Sequence, residues 1–191
     1  MKPTITLLDD STRPKAPKIE GLDAQQRAWG QRLRHIHDFH IEQLDDVRLV
    51  MEEVIAGEAN PGAMPEAIAA MPMVSNYRLF GTLCGRECRM LSLHHMIEDQ
   101  SMFPALRQES ARAGSDGLRK VMDRLTQEHD VIHRLLDVVY KAAVAAAAEP
   151  GRETFAELKA SFLVLERVVR SHFGYEQEEL EEALGYFAIP L

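Results

Sequence analysis

Residues 118–139, LRKVMDRLTQEHDVIHRLLDVV, decide the fold. The apolar residues Leu118, Val121, Leu125, Ile132, Leu136 and Val139 recur at steps of three, four and seven, the interval that puts side chains on one face of an α-helix. His129 fills the slot between Leu125 and Ile132, so a polar residue stands where leucine would ordinarily go. A helix with such a stripe must bury it against other helices or a sheet.

Working outward, Gly114 and Gly117 mark a turn before this helix, and Glu149-Pro150-Gly151 marks a stop and restart after it. A further helix then carries Phe155, Leu158, Phe162, Leu165, Val169, His172, Glu176 and Leu184. Upstream, Ser75 or Asn76 can cap a helix with Phe80, Leu83, Leu91, His94 and Ile97 on one side, ending around Pro104 to Ala113. The first helix spans about 23–57, capped by Asp23, with Trp29, Leu33, Ile36, His40, Leu44, Val47, Met51 and Val54 in its stripe. Gly57 to Met73, with Pro61, Pro65, Pro72 and Gly62, is a long connection in which Pro65 to Met71 could form a short helix. Residues 1–22, with Pro3, Pro14 and Pro17 and no apolar period, read as an arm outside the bundle, either mobile or clasped to its surface. No strand signal competes. The expected fold is all-α: an antiparallel up-down-up-down four-helix bundle over 23–191, with an N-terminal arm over 1–22 and a long connection between the first two helices.

Composition supports a packed core, because 46% of residues are apolar against 27% charged. A net charge of −8 without any Lys/Arg block argues against nucleic acid or an anionic membrane as partner. The opening residues lack the apolar core of a signal peptide and no stretch approaches a membrane span, so the cytoplasm is the expected location. Cys84 and Cys88 are expected to be small buried thiols rather than a disulfide framework.

Polar residues interrupt three of the stripes at one repeated spacing: His94 with Glu98, His129 with His133, and His172 with Glu176. Residues four apart on a helix differ by about 40° in azimuth and about 6 Å in rise, so each pair can address one interior point. His37, close in angle to the stripe of Ile36, His40 and Leu44, is a seventh candidate. Burying two carboxylates costs several kcal/mol per ion unless a counter-charge offsets it, and a dication is such a counter-charge. Imidazole with carboxylate suits iron, zinc, manganese or copper, and seven ligands exceed the four of a structural zinc, which favours two metals. The ferritin-like plan would need Glu-x-x-His, which this sequence does not contain.

Ile36-His37-Asp38, His94-His95-Met96-Ile97-Glu98-Asp99 with Phe103-Pro104, Glu128-His129, and His172 with Tyr175-Glu176 together resemble the hemerythrin-like (HHE cation-binding) family in its bacterial form, over roughly residues 28–185. That family shows a lone His, then His-x-x-x-Glu, His-x-x-x-His and His-x-x-x-Glu or His-x-x-x-x-Asp on successive helices. Invertebrate oxygen carriers of the family place Asp five residues after the last His; here that position is Gln177, and Glu176 lies at four. The resemblance implies two iron ions with an oxo or hydroxo bridge, held by His37, His94, Glu98, His129, His133, His172 and Glu176, and an open coordination position for O2, NO or peroxide. The expected function is binding of O2 or a related small oxidant. Redox turnover of peroxide or NO at the same site is the enzymatic alternative, a sensor or interaction module is another, and a homodimer through an exposed stripe stays open.

Several neighbours have quieter readings. His35 is about 200° round the helix from His37 and is expected in solvent. His40 is a core residue, a support for a ligand, or the ligand in place of His37. His95, 100° from His94, reads as a flank, and Asp99 follows it. Tyr77 and Tyr175 are core residues or neighbours of the metals. Glu87 and Asp137 read as solvated, and the run Glu178 to Glu182 as an exposed acidic face.

Overall fold

A computed structural model of the chain describes residues 5–56, 91–149 and 151–191. Its helices are α1 (Ala24–Gly30), α2 (Arg32–Ala56), α3 (Leu91–Ile97), α4 (Phe103–Arg112), α5 (Asp116–Ala148) and α6 (Arg152–Tyr186), with a π-helical turn at Glu98–Met102 and a 3-10 turn at Asp10–Thr12. The expected all-α helical bundle is what the chain forms, with no strand among the described residues. The long connection over 57–73, the start of the second helix, Tyr77, Cys84, Glu87 and Cys88 lie outside the described residues.

Asp23 caps the first helix as its sequence suggests. Its side chain accepts from Gln26 N at 2.8 Å while the Gln26 side chain accepts from Asp23 N at 3.0 Å, a reciprocal box that satisfies two otherwise orphaned donors. The expected single helix over 23–57 is divided at Gln31 into α1 and α2. α1 ends at Gly30, where a Cβ would stand 2.0 Å from the Glu181 carbonyl oxygen of α6. On α6, a Cβ at Gly185 would stand 2.1 Å from Gln26 O, so two glycines let the backbones approach. Gly117 lies in the first turn of α5, not in the preceding loop, and the arm at Lys15 and Pro17 passes over it. The left-handed residue of that loop is Gly114, at φ +70°.

By packing, the chain divides into two units. Among the described residues, one comprises 5–38, 95–131 and 170–191. Its core joins Leu33 of α2, Phe103 and Leu106 of α4, Leu118, Val121, Met122 and Leu125 of α5, and Leu180 and Leu184 of α6. The Trp29 indole N–H donates to Ile189 O at 2.7 Å and ties down the C-terminus. The other unit comprises, among the described residues, 39–56, 91–94, 132–149 and 151–169. Within it Leu44, Val47, Ile132, Leu136, Val139, Leu158, Phe162 and Leu165 are buried, and Arg48 pairs with the buried Glu166, Nε to Oε1 at 3.0 Å. No helix among the described residues is long and apolar enough to cross a membrane.

The arm is clasped rather than loose. Lys15 pairs with Glu178 at 3.0 Å and Glu179 at 2.7 Å, Ala16 N donates to Glu179 at 2.6 Å, and Ile19 N donates to Glu182 at 2.9 Å. The acidic run of α6, expected as an exposed face, is therefore the anchor of the arm, and Glu179 is buried. The Tyr175 hydroxyl serves the same purpose, donating to Pro14 O at 2.8 Å.

Candidate metal centre

The site is built in the first unit, where buried histidines and carboxylates replace leucines. His95, His129 and His172 each present a ring nitrogen within 4.8 Å of the other two, and His37, Glu98 and Glu176 each present an atom within 4.8 Å of one another. All six are buried. The rings are fixed by stacking: His95 lies on His129 with centroids 4.0 Å apart and 8° between planes, and His37 lies on Phe173 at 3.9 Å and 8°.

The carboxylates join the two sets. Glu176 Oε2 stands 3.5 Å from His37 Nε2 and 3.7 Å from His172 Nε2. Glu98 Oε2 stands 3.3 Å from His129 Nε2. Each carboxylate thus faces the three-histidine set while belonging to the other.

Three rings are held from behind. His129 Nδ1 donates to Asp99 Oδ2 at 3.1 Å, and His172 Nδ1 donates to Glu128 Oε2 at 3.1 Å. A carboxylate only accepts, so both rings carry hydrogen on Nδ1 and turn Nε2 inward. The Gln177 amide lies 2.9 Å from His37 Nδ1. Asp99 also accepts from Thr126 Oγ1 at 3.0 Å.

Local sequence explains how the helical stretch 91–112 supplies His95, Glu98 and Asp99. Pro104 has no N–H to continue the ladder and its ring would clash with the carbonyl four residues back, so the helix widens ahead of it. The Phe103 N–H bonds Glu98 O five residues earlier, and this π turn begins at Glu98 itself.

Electrostatics separate the groups. Burial pushes the His172 imidazole down to about 4 against the opposing pull of Glu128. Burial also works to lower His129, but its hydrogen bond to Asp99 and the negative charges of Glu98 and Asp99 beside it outweigh burial and bring it to about 9. Glu176 is raised well above the ordinary carboxylate value, first by burial and then by the charge of Glu98. Burial would raise Glu128 too, yet hydrogen bonds from His172, Arg13 and Arg124 hold it at about 2.

The donor set fits a cation. His129 Nε2, His172 Nε2 and both oxygens of Glu176 are buried without a hydrogen-bond partner, an expensive arrangement for a chain on its own. Ligation would satisfy all four atoms.

Of the residues expected from spacing, the structure gathers His37, Glu98, His129, His172 and Glu176 in one unit. His94 is buried, directly precedes His95 in the chain, and has its ring 5.4 Å from that of His40. His133 is half-buried and stands in neither set. His95, read as a flank, is fully buried among the histidines, and Asp99 is a ring partner rather than a flank. His35 is exposed, its Nδ1 3.0 Å from Gln31 O. Asp137 pairs with Lys141 on its own helix. Sequence reasoning missed His95 and the partners Glu128 and Asp99. The doublet His94-His95 ahead of Pro104 was the signal for the first.

The sequence matches the hemerythrin HHE cation-binding domain over residues 30–184. No match is found among curated proteins or among solved structures. With the match covering most of the chain and a buried His/Glu cluster inside it, the protein belongs to the hemerythrin HHE cation-binding family.

Proposed function

We propose that this chain holds two iron ions and, through them, binds O2 or a related small oxidant such as NO or peroxide. The ions would be held by His37, His94, His95, Glu98, His129, His172 and Glu176. Here His95 takes the place that spacing alone offered to His133. The observation that carries the reading is the position of Glu176 Oε2 between His37 Nε2 and His172 Nε2, with Glu98 Oε2 against His129 Nε2. His94 is included because it lies four residues before Glu98 on the same helical stretch.

When bound, an iron pair supplies two-electron redox chemistry and a coordination position for a small ligand. The chain itself orients the donors. Asp99 and Glu128 keep hydrogen on Nδ1 of His129 and His172 and so reserve Nε2 for the metal. Five histidines and two carboxylates give a donor set low in negative charge, which favours reversible ligand binding over the generation of strong oxidants.

The test is anaerobic reconstitution with Fe(II), metal analysis, then admission and removal of O2 while the optical spectrum is followed. Two irons per chain with bands that fade on deoxygenation are expected. Two irons with irreversible oxidation and sustained consumption of peroxide or NO would make the protein an enzyme instead. Absence of iron uptake would overturn both readings.

A further inference from the structure

The arm converges on the carboxylate behind His172. Arg13 Nε donates to Glu128 Oε1 at 2.9 Å and Nη2 to Oε2 at 2.8 Å, a two-point fork, while Nη1 donates to Ser171 Oγ at 2.8 Å. Ser171 Oγ in turn donates to Asp10 at 2.6 Å. Arg124 adds a bond from Nε to Glu128 Oε1 at 2.7 Å and grips the arm with its other nitrogens, Nη1 to Thr12 Oγ1 at 3.0 Å and Nη2 to Asp9 O at 2.8 Å. The Arg13 guanidinium stands 4.6 Å over the Tyr175 ring. Its side chain is 12% exposed and that of Glu128 5%, so the pair is largely shielded from water.

Glu128 Oε2 is the shared atom. It accepts from Arg13 on one side and from His172 Nδ1 on the other. Arg124 bonds the other oxygen, Oε1, so the orientation of the Oε2 edge depends on the arm. A planar guanidinium fixes both oxygens of a carboxylate at once, which a single point charge cannot do.

We infer that Arg13 is a positioning residue of the metal centre: an arm residue 115 positions away in sequence sets Glu128, and Glu128 sets the ring orientation and Nδ1–H tautomer of His172. The consequence for iron rests on the proposed function, whereas the tautomer of His172 is a property of the metal-free chain. The guanidinium also neutralises Glu128.

Three variants of the whole chain test this: Arg13→Gln, Arg13→Lys, and Lys15→Gln as a control that loosens the same arm at Glu178 and Glu179 without touching Glu128. In metal-free protein, long-range proton–nitrogen spectra of the histidine rings read the His172 tautomer directly. The parent chain and Lys15→Gln should show the Nδ1–H form, Arg13→Gln a mixture of both tautomers, and Arg13→Lys an intermediate population. An unchanged His172 ring in both Arg13 variants, or equal changes in Lys15→Gln, would overturn the inference. Should Arg13→Gln not fold, Arg13→Lys against Lys15→Gln decides it by the same comparison. Failure of the parent chain to take up iron would sink the proposed function, and the ring spectra would still decide the role of Arg13.

Discussion

His95 and His129 are stacked, their ring centroids 4.0 Å apart and their planes 8° from parallel, and both rings stand edge-on to His172. His95 thus groups with His129 and His172, and half-buried His133 stands in neither candidate group among the described residues. His95→Ala is expected to lose about one of two metal equivalents, and His133→Ala to keep both. Metal content per chain after reconstitution and desalting checks this; loss on His133→Ala with retention on His95→Ala would restore the assignment drawn from spacing.

That contrast marks how far a sequence speaks for its own structure. The helices were legible because an α-helix is the conformation that gathers a stripe at steps of three and four onto one side; Glu98, His129, His172 and Glu176 stood out as polar interruptions of it, and His37 as a candidate close to it in angle. His95 was not, because it stands 100° from His94 on the helix and both are buried, so the buried face there is wider than a single stripe. The partners of the rings were hidden by distance along the chain. Arg13 and Glu128 are 115 residues apart, and no local period links an arm to a helix. The jog at Gln31 was likewise invisible, since its companions, the Gly30 and Gly185 contacts, pair residues of α1 with residues of α6.

Those glycines give a stability prediction with a built-in control. A Cβ at Gly30 would meet Glu181 O at 2.0 Å and one at Gly185 would meet Gln26 O at 2.1 Å, and backbone atoms cannot turn aside as a flexible side chain would. Gly30→Ala and Gly185→Ala should each cost about 2 kcal/mol or more. Gly174, also on α6, has nothing within 4 Å of its would-be Cβ. Gly174→Ala should stabilise by about 0.5–1 kcal/mol, through the lower entropy of the unfolded chain. Urea melts of the three variants decide it, and equal behaviour at all three positions would refute the close backbone approach.

Glu176 makes the metal-free chain sensitive to pH. Its folded pKa is raised well above 4.5 by burial and by the charge of Glu98. Below the unfolded value both states are protonated and nothing is lost. As pH rises above it, the unfolded chain ionises first, so folding weakens. Glu176→Gln should flatten this decline in metal-free protein and raise its melting temperature at neutral pH. Added Fe(II) should then stabilise the parent chain strongly and the variant weakly, because binding to the folded state alone is what raises apparent stability. A variant that gains as much from Fe(II) as the parent would remove Glu176 from the site.

Glu128 works in the opposite direction. Its folded pKa lies at about 2 against 4.5 for the unfolded chain, because hydrogen bonds from His172, Arg13 and Arg124 outweigh the effect of burial. The stabilisation is complete above about pH 4.5 and disappears as pH falls through the folded value. In metal-free protein this amounts to on the order of 2 kcal/mol once solvent screening is allowed for. Glu128→Gln leaves two arginines facing a neutral amide and so lowers stability at pH 7, but its further loss between about pH 5 and pH 2 should be smaller than that of the parent chain by that amount. Denaturant midpoints measured across this range for both proteins provide the comparison. Parallel curves would mean that Glu128 is not held as an ionised partner of Arg13 and Arg124, and that the network joining the arm to His172 does not operate through its charge.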